Sequence, residues 1–153
     1  MSKLNLYDTA ILSVIGILKS LLSILEKGKS HLDAKDLPHS TLLEARIAPD
    51  MHPLPYQVQV ASNLAKFIAV RIADIPNEVW EDEEQTFAEL QARIAKTIAL
   101  LQGVKRESFD DKESVEITMR SLKFTGLSYV TDKWGPDWEE GLDSAVKLYP
   151  HLK

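Results

Sequence analysis

The chain has 153 residues, the length of one domain able to bury its own core, and its 44% hydrophobic and 27% charged residues are those of an ordinary soluble globule. A formal net charge of −5, with Lys and Arg scattered rather than striped, excludes the basic face that nucleic-acid binding needs. Without cysteine there is no disulfide framework, no thiol nucleophile and no Cys-ligated zinc.

A first helix is predicted over about residues 6–27, because Leu4, Tyr7, Ile11, Val14, Leu18, Leu21 and Leu25 recur at steps of three and four. Leu12, Ile15, Ile17, Leu22 and Ile24 widen that face until only a narrow Ser/Gly/Lys stripe stays polar. A helix apolar nearly all round is covered on more than one side, which points to a homodimer through this helix. Ser13, Gly16, Lys19, Ser20 and Ser23 interrupt the run 11–25, which reads as too short and too polar to span a bilayer. It also lacks the small-residue cleavage site of a secretory signal, so the expected compartment is the cytoplasm, with no membrane partner. Gly28 is the expected helix end, followed by a polar connection over 30–38.

Thr41-Leu-Leu-Glu44 has the form of a capping box and predicts a short helix that ends before Pro49. Pro53 and Pro55 fall in the first turn of a second long helix, where a missing N–H costs little. That helix carries Leu54, Val58, Ala61, Ala65, Ile68 and Ile72 on one face. Residues 75–85 form an acidic connection centred on Trp80, in which Glu81 to Glu84 reads as a solvated run of like charges. A second capping box, Thr86-Phe-Ala-Glu89, opens a third long helix through Phe87, Leu90, Ile94, Ile98 and Leu101, closed by Gly103. Val115, Ile117 and Met119 alternate with polar residues, and Leu122 and Phe124 supply a returning strand. The last segment, 127–148, is broken or kinked at Gly135-Pro136. The expected fold class is all-α: a single-domain four-helix bundle with a minor β-hairpin before the last helix.

The N-terminal LYD helix, the junction ARIAPDMHPLPYQVQVA, the helix TFAELQARIAKT and the late FTGLSYV together resemble a small microbial family of helical-bundle proteins of unknown function. That family sits within the DinB/YfiT-like superfamily of metalloenzymes, and the resemblance covers roughly residues 4–130. It implies a four-helix bundle, often dimeric, with a cavity that in superfamily members holds a divalent metal through three histidines. Matching the pattern's Pro-Asn step to Pro136-Asp137 puts Gly141 where the pattern has a histidine. The tail from about 131, including WEEGLDSAVKLY, is more polar than the pattern and shortened.

The four histidines are His31, His39, His52 and His151, and no two stand three or four residues apart. No metal or other cofactor is expected on that spacing, and His52 is the ligand to test if one is found. The densest polar cluster at a Pro-broken junction is 42–60, with Arg46, Asp50, His52, Gln57 and Gln59 among three prolines. Arg46 suits a bidentate grip on an anion, or a structural pair with Asp50 four residues on. His52 and Asp50 are the best proton carriers, although a helix-start hydrogen bond is the more common use of a residue placed like His52. Gln57 and Gln59, two apart on a helix, cannot both face one pocket. Tyr129 and Trp134 are candidate aromatic walls, with core packing as their other use. No phosphate loop or nucleophile elbow is present. Two functions remain open: binding a small anionic or aromatic molecule in a bundle cavity, as a metal-independent enzyme or a simple binder, and a non-catalytic dimeric scaffold. The resemblance adds a third, a DinB-like metalloenzyme with a degenerate site.

Overall fold

A computed structural model of the chain describes residues 5–119 and 122–125. The chain divides into two compact units, Met1–Asp110 and Asp111–Lys153. In the first, a π-helical turn at Asp8–Leu12 leads into α1 (Ser13–Ala34), followed by the single turn α2 (Ser40–Leu43) and the long helices α3 (Leu54–Ile72) and α4 (Phe87–Gln102). In the second, β1 (Glu116–Met119) runs antiparallel to β2 (Leu122–Thr125), with Ile117 opposite Phe124. The last helix expected over 127–148, with Tyr129 and Trp134, lies outside the described residues, as does His151.

Of the apolar face read in the first helix, Ile11, Leu18 and Leu25 are in the core and Tyr7, Val14 and Leu21 are half-buried, while Ile15 from the widened side is buried as well. The helix does not stop at Gly28. It continues to Ala34, and Leu32 extends the same face at 2% exposure. Gly28 serves close approach instead, since a Cβ there would come within 3.2 Å of Leu42 Cδ1 on α2. The actual stop is Asp36, which adopts a left-handed φ of 51°. The Leu37 N–H then bonds Leu32 O at 3.0 Å and the Asp36 N–H bonds Asp33 O at 3.3 Å, the pairing of a Schellman closure. Pro38 follows directly. Because α1 runs on, the continuous helix Asp8–Ala34 has 27 residues, and its most apolar stretch of 18 has a mean hydropathy of 1.8, which by length and composition alone could cross a membrane.

α2 begins two residues earlier than its sequence signal. Pro38 O accepts from Thr41 N–H at 3.0 Å, and His39 is the N-cap with no side-chain cap bond. Thr41 is therefore inside the turn, and Glu44 closes it instead of completing a capping box. The turn ends at Leu43, well short of Pro49.

α4 is the central helix, packed against both α1 and α3. Phe87, Leu90, Ile94 and Leu101 are at most 1% exposed, and Ser62 on α3 shares a buried 2.7 Å hydrogen bond with Thr97 on α4. Its capping box forms: Thr86 Oγ1 accepts from Glu89 N–H, and the Glu89 carboxylate accepts from the Thr86 and Gln85 N–H groups. These donors, the Gln85 backbone first, hold the Glu89 carboxyl below its ordinary value of 4.5. A depressed folded-state pKa contributes stability above the unfolded value and loses it as pH falls through the folded one. Glu89→Gln is thus expected to be less stable than wild type at neutral pH and to converge on it in acid. Urea melts showing the same difference at pH 7 and below pH 4 would contradict this.

Candidate functional site

The irregular connection 73–86 is too long for a simple turn, and the first unit pins it down with buried cations. Arg93 on α4 reaches past α3 to hold it. Its Nε donates to Ser62 Oγ at 3.2 Å, its Nη1 to Glu81 O at 3.0 Å and to Glu84 Oε1 at 2.7 Å. Its Nη2 donates to Asn63 Oδ1 at 2.9 Å and Asp82 Oδ1 at 2.6 Å. All five guanidinium N–H groups therefore have acceptors, as a side chain only 3% exposed requires. The acidic run 81–84 is not simply solvated, because Glu84 is only 18% exposed and caps a buried cation. Arg93 itself reads in the sequence as one polar residue on a helix. Its partner run was visible, and one buried Arg opposite acids is the signal that could have linked them.

Lys66 makes a second tie. Its Nζ donates to Glu78 O at 2.6 Å and lies 4.9 Å from the centre of the Trp80 ring. Burial, and next the nearby Arg93 charge, push its ammonium below the ordinary lysine range. Lys96 Nζ sits 4.4 Å from the Trp80 ring and pairs with Glu78 at 2.8 Å. Trp80 is thus clasped by cations, the arrangement its electron-rich face favours.

Between this pinned connection and the α2–α3 junction lies a cleft of about 660 Å³. Arg46, His52, Tyr56, Gln59, Asp82 and Glu84 all line it, together with Glu44. Gln59 is 6% exposed and donates Nε2 to Glu84 Oε2 at 3.1 Å, so the floor is tied to the Arg93 network. His52 and Tyr56 stack with ring centres 3.9 Å apart, tilted 31°. The two residues reach one another because Pro53 caps α3 in extended conformation and Tyr56 falls in its first turn.

Of the residues the sequence singled out, Arg46 and His52 line the cleft, whereas Asp50 and Gln57 do not. The Arg46–Asp50 pair does not form. Its four-residue spacing brings side chains together only on a helix, and α2 has ended before Arg46. Arg46 Nη1 instead donates to Met51 O at 2.7 Å, bracing the loop. Gln57 curls back to cap the helix start, with Nε2 on His52 O at 3.1 Å, and lines only a smaller cavity of about 240 Å³. Gln59, two residues on, takes the opposite face and the cleft. Tyr129 and Trp134 lie outside the described residues.

A groove of about 720 Å³ between α1 and α4 is somewhat larger, but its walls, among them Leu22, Lys27 and Ala95, are surface residues and its Gln91–Glu26 hydrogen bond of 2.7 Å is exposed. Volume alone does not make a site; convergent buried polar groups do. Among the described residues no group of three or more His, Cys, Asp or Glu is placed to hold a metal ion. His39 is occupied by Asp33 at 2.7 Å and packs edge-on against Phe87, while His52 lies on Tyr56. These residues do not fit the three-histidine site that the resemblance implies.

A family model described as a domain of unknown function, DUF1993, matches residues 6–138. No curated protein matches the chain. Among solved structures, a DinB family member protein from Shewanella denitrificans is similar over 96% of this chain and 85% of its own, at 27% identity and a TM-score of 0.76.

Proposed function

We propose that this chain, which belongs to the DUF1993 family and has a helical, DinB-like fold, binds a small molecule in the cleft between the α2–α3 junction and the connection 73–86. The observation that carries the reading is a cleft of ligand size, about 660 Å³, whose floor is a buried, fixed polar group and whose wall is a stacked ring pair. Arg93 holds Glu84, and Glu84 in turn holds Gln59, before any ligand arrives, so binding spends little free energy on ordering them. A thermal-shift screen of small metabolites against wild type and Tyr56→Ala tests it. Tyr56 is 43% exposed, so its loss is expected to leave Tm nearly unchanged. Compounds that stabilise wild type are expected to lose most of that effect in the variant. A full metabolite panel giving no shift, or equal shifts in both proteins, would count against the cleft.

Self-association through α1 is a second reading, supported by Ile17 and Ile24 at 65% and 63% exposure on a long helix. Sedimentation at micromolar concentration is expected to give a dimer for wild type and a monomer for Ile17→Lys/Ile24→Lys. A monomeric wild type would remove this reading.

A further inference from the structure

We propose that the cleft selects an organic cation, a small molecule bearing an ammonium, amidinium or guanidinium group on a flat or apolar body. This rests on the cleft being the ligand site and adds the chemistry of what it takes. The lining carboxylates outnumber the lining cations, and Glu44 is the one that Arg93 does not engage. Glu44, Asp82 and Glu84 line the cleft against one lining guanidinium, Arg46, and Arg46 already donates to Met51 O at 2.7 Å. Glu44 is exposed and has no ion pair among the described residues. Arg93 stands behind the two carboxylates, 3% exposed, with every N–H engaged.

Gln59 supplies the independent sign. More than nine-tenths buried, it spends its amide N–H on Glu84, and its amide oxygen accepts no hydrogen bond from the described residues while the side chain lines the cleft. That oxygen is open to the cleft rather than sealed away, so a ligand N–H can reach it. The His52–Tyr56 pair adds an aromatic face, which attracts cations and flat rings alike. An anion at the start of α3 would gain the helix dipole but meet the unpaired Glu44 carboxylate and no free donor on Asp82 or Glu84.

Four probes with one ring isolate the charge: benzylammonium, phenylguanidinium, benzoate and benzyl alcohol, each titrated into ¹⁵N-labelled full-length protein by NMR. The two cations are expected to shift the Tyr56 and Gln59 signals and to bind at least about tenfold more tightly than benzoate. Glu44→Gln, on an exposed residue outside the Arg93 network, is expected to weaken the cations roughly two- to fivefold with unchanged Tm. Its effect on benzyl alcohol is expected to be nil. Benzoate or benzyl alcohol binding at Tyr56 and Gln59 as tightly as the cations would overturn the charge selection and leave the cleft standing. Cation binding that shifts neither signal, or that ignores Glu44→Gln, would also overturn it. No binding by any probe at millimolar concentration would remove the cleft reading and this inference together.

Discussion

Arg93→Ala is expected to destabilise the protein by roughly 3–5 kcal/mol, a drop in Tm on the order of 10 °C. The guanidinium joins α4 to Ser62 and Asn63 on α3 and to Glu81, Asp82 and Glu84 in the connection 73–86. Removing it strands Glu84, 18% exposed, without the cation that compensates its burial. Arg93→Lys keeps the charge but not the planar fork, and three ammonium donors cannot serve the acceptors now engaged. It is expected to recover only part of the loss. Chemical melts of both variants check this; an Arg93→Ala protein within about 1 kcal/mol of wild type would show that the network contributes little. Because Gln59 and Glu84 form the cleft floor, ligand binding is expected to weaken alongside stability.

Phe87→Ala is expected to cost about 3–5 kcal/mol, the range for a large ring removed from a closed core. Phe87 is 1% exposed at the first position of α4, and its ring meets the His39 ring edge-on at 5.4 Å. It thereby ties the start of α4 to the segment leading into α2. Phe87→Leu, which retains most of the apolar volume, is expected to lose well under half as much. Equal losses for Leu and Ala, measured by urea melts, would mean that the ring's volume is not what matters there.

The long helices were legible because burial follows their apolar periodicity: Leu18 and Leu25 in α1, Val58 and Ile72 in α3, Leu90 and Ile94 in α4 all lie in the core. Helix ends were legible only where the signal was glycine, proline or a true capping box. Asp36 and Asp74 take left-handed φ values of 51° and 55° just after α1 and α3, a role the sequence assigns first to glycine. Gly28 therefore drew the stop that belonged to Asp36. In the cleft, Arg46 and His52 could be read from their place at a Pro-broken junction, and both line it. Local spacing says nothing about pairs distant in sequence. Arg93 with Glu84, and Gln59 with Glu84 across 25 residues, arise only once α3 and α4 pack. The Arg46–Asp50 expectation failed for the converse reason, a helical spacing applied to a segment that is not helical.

The most direct measurement is a crystallographic fragment soak of the full chain with a mixed set of small amines, acids and neutral rings. Fragment density is expected in the cleft beside Tyr56 and Gln59, with polar atoms toward the Gln59 amide oxygen and Glu44. Fragments gathered only in the groove between α1 and α4 near Leu22 and Ala95, with the cleft left to water, would contradict the proposed function.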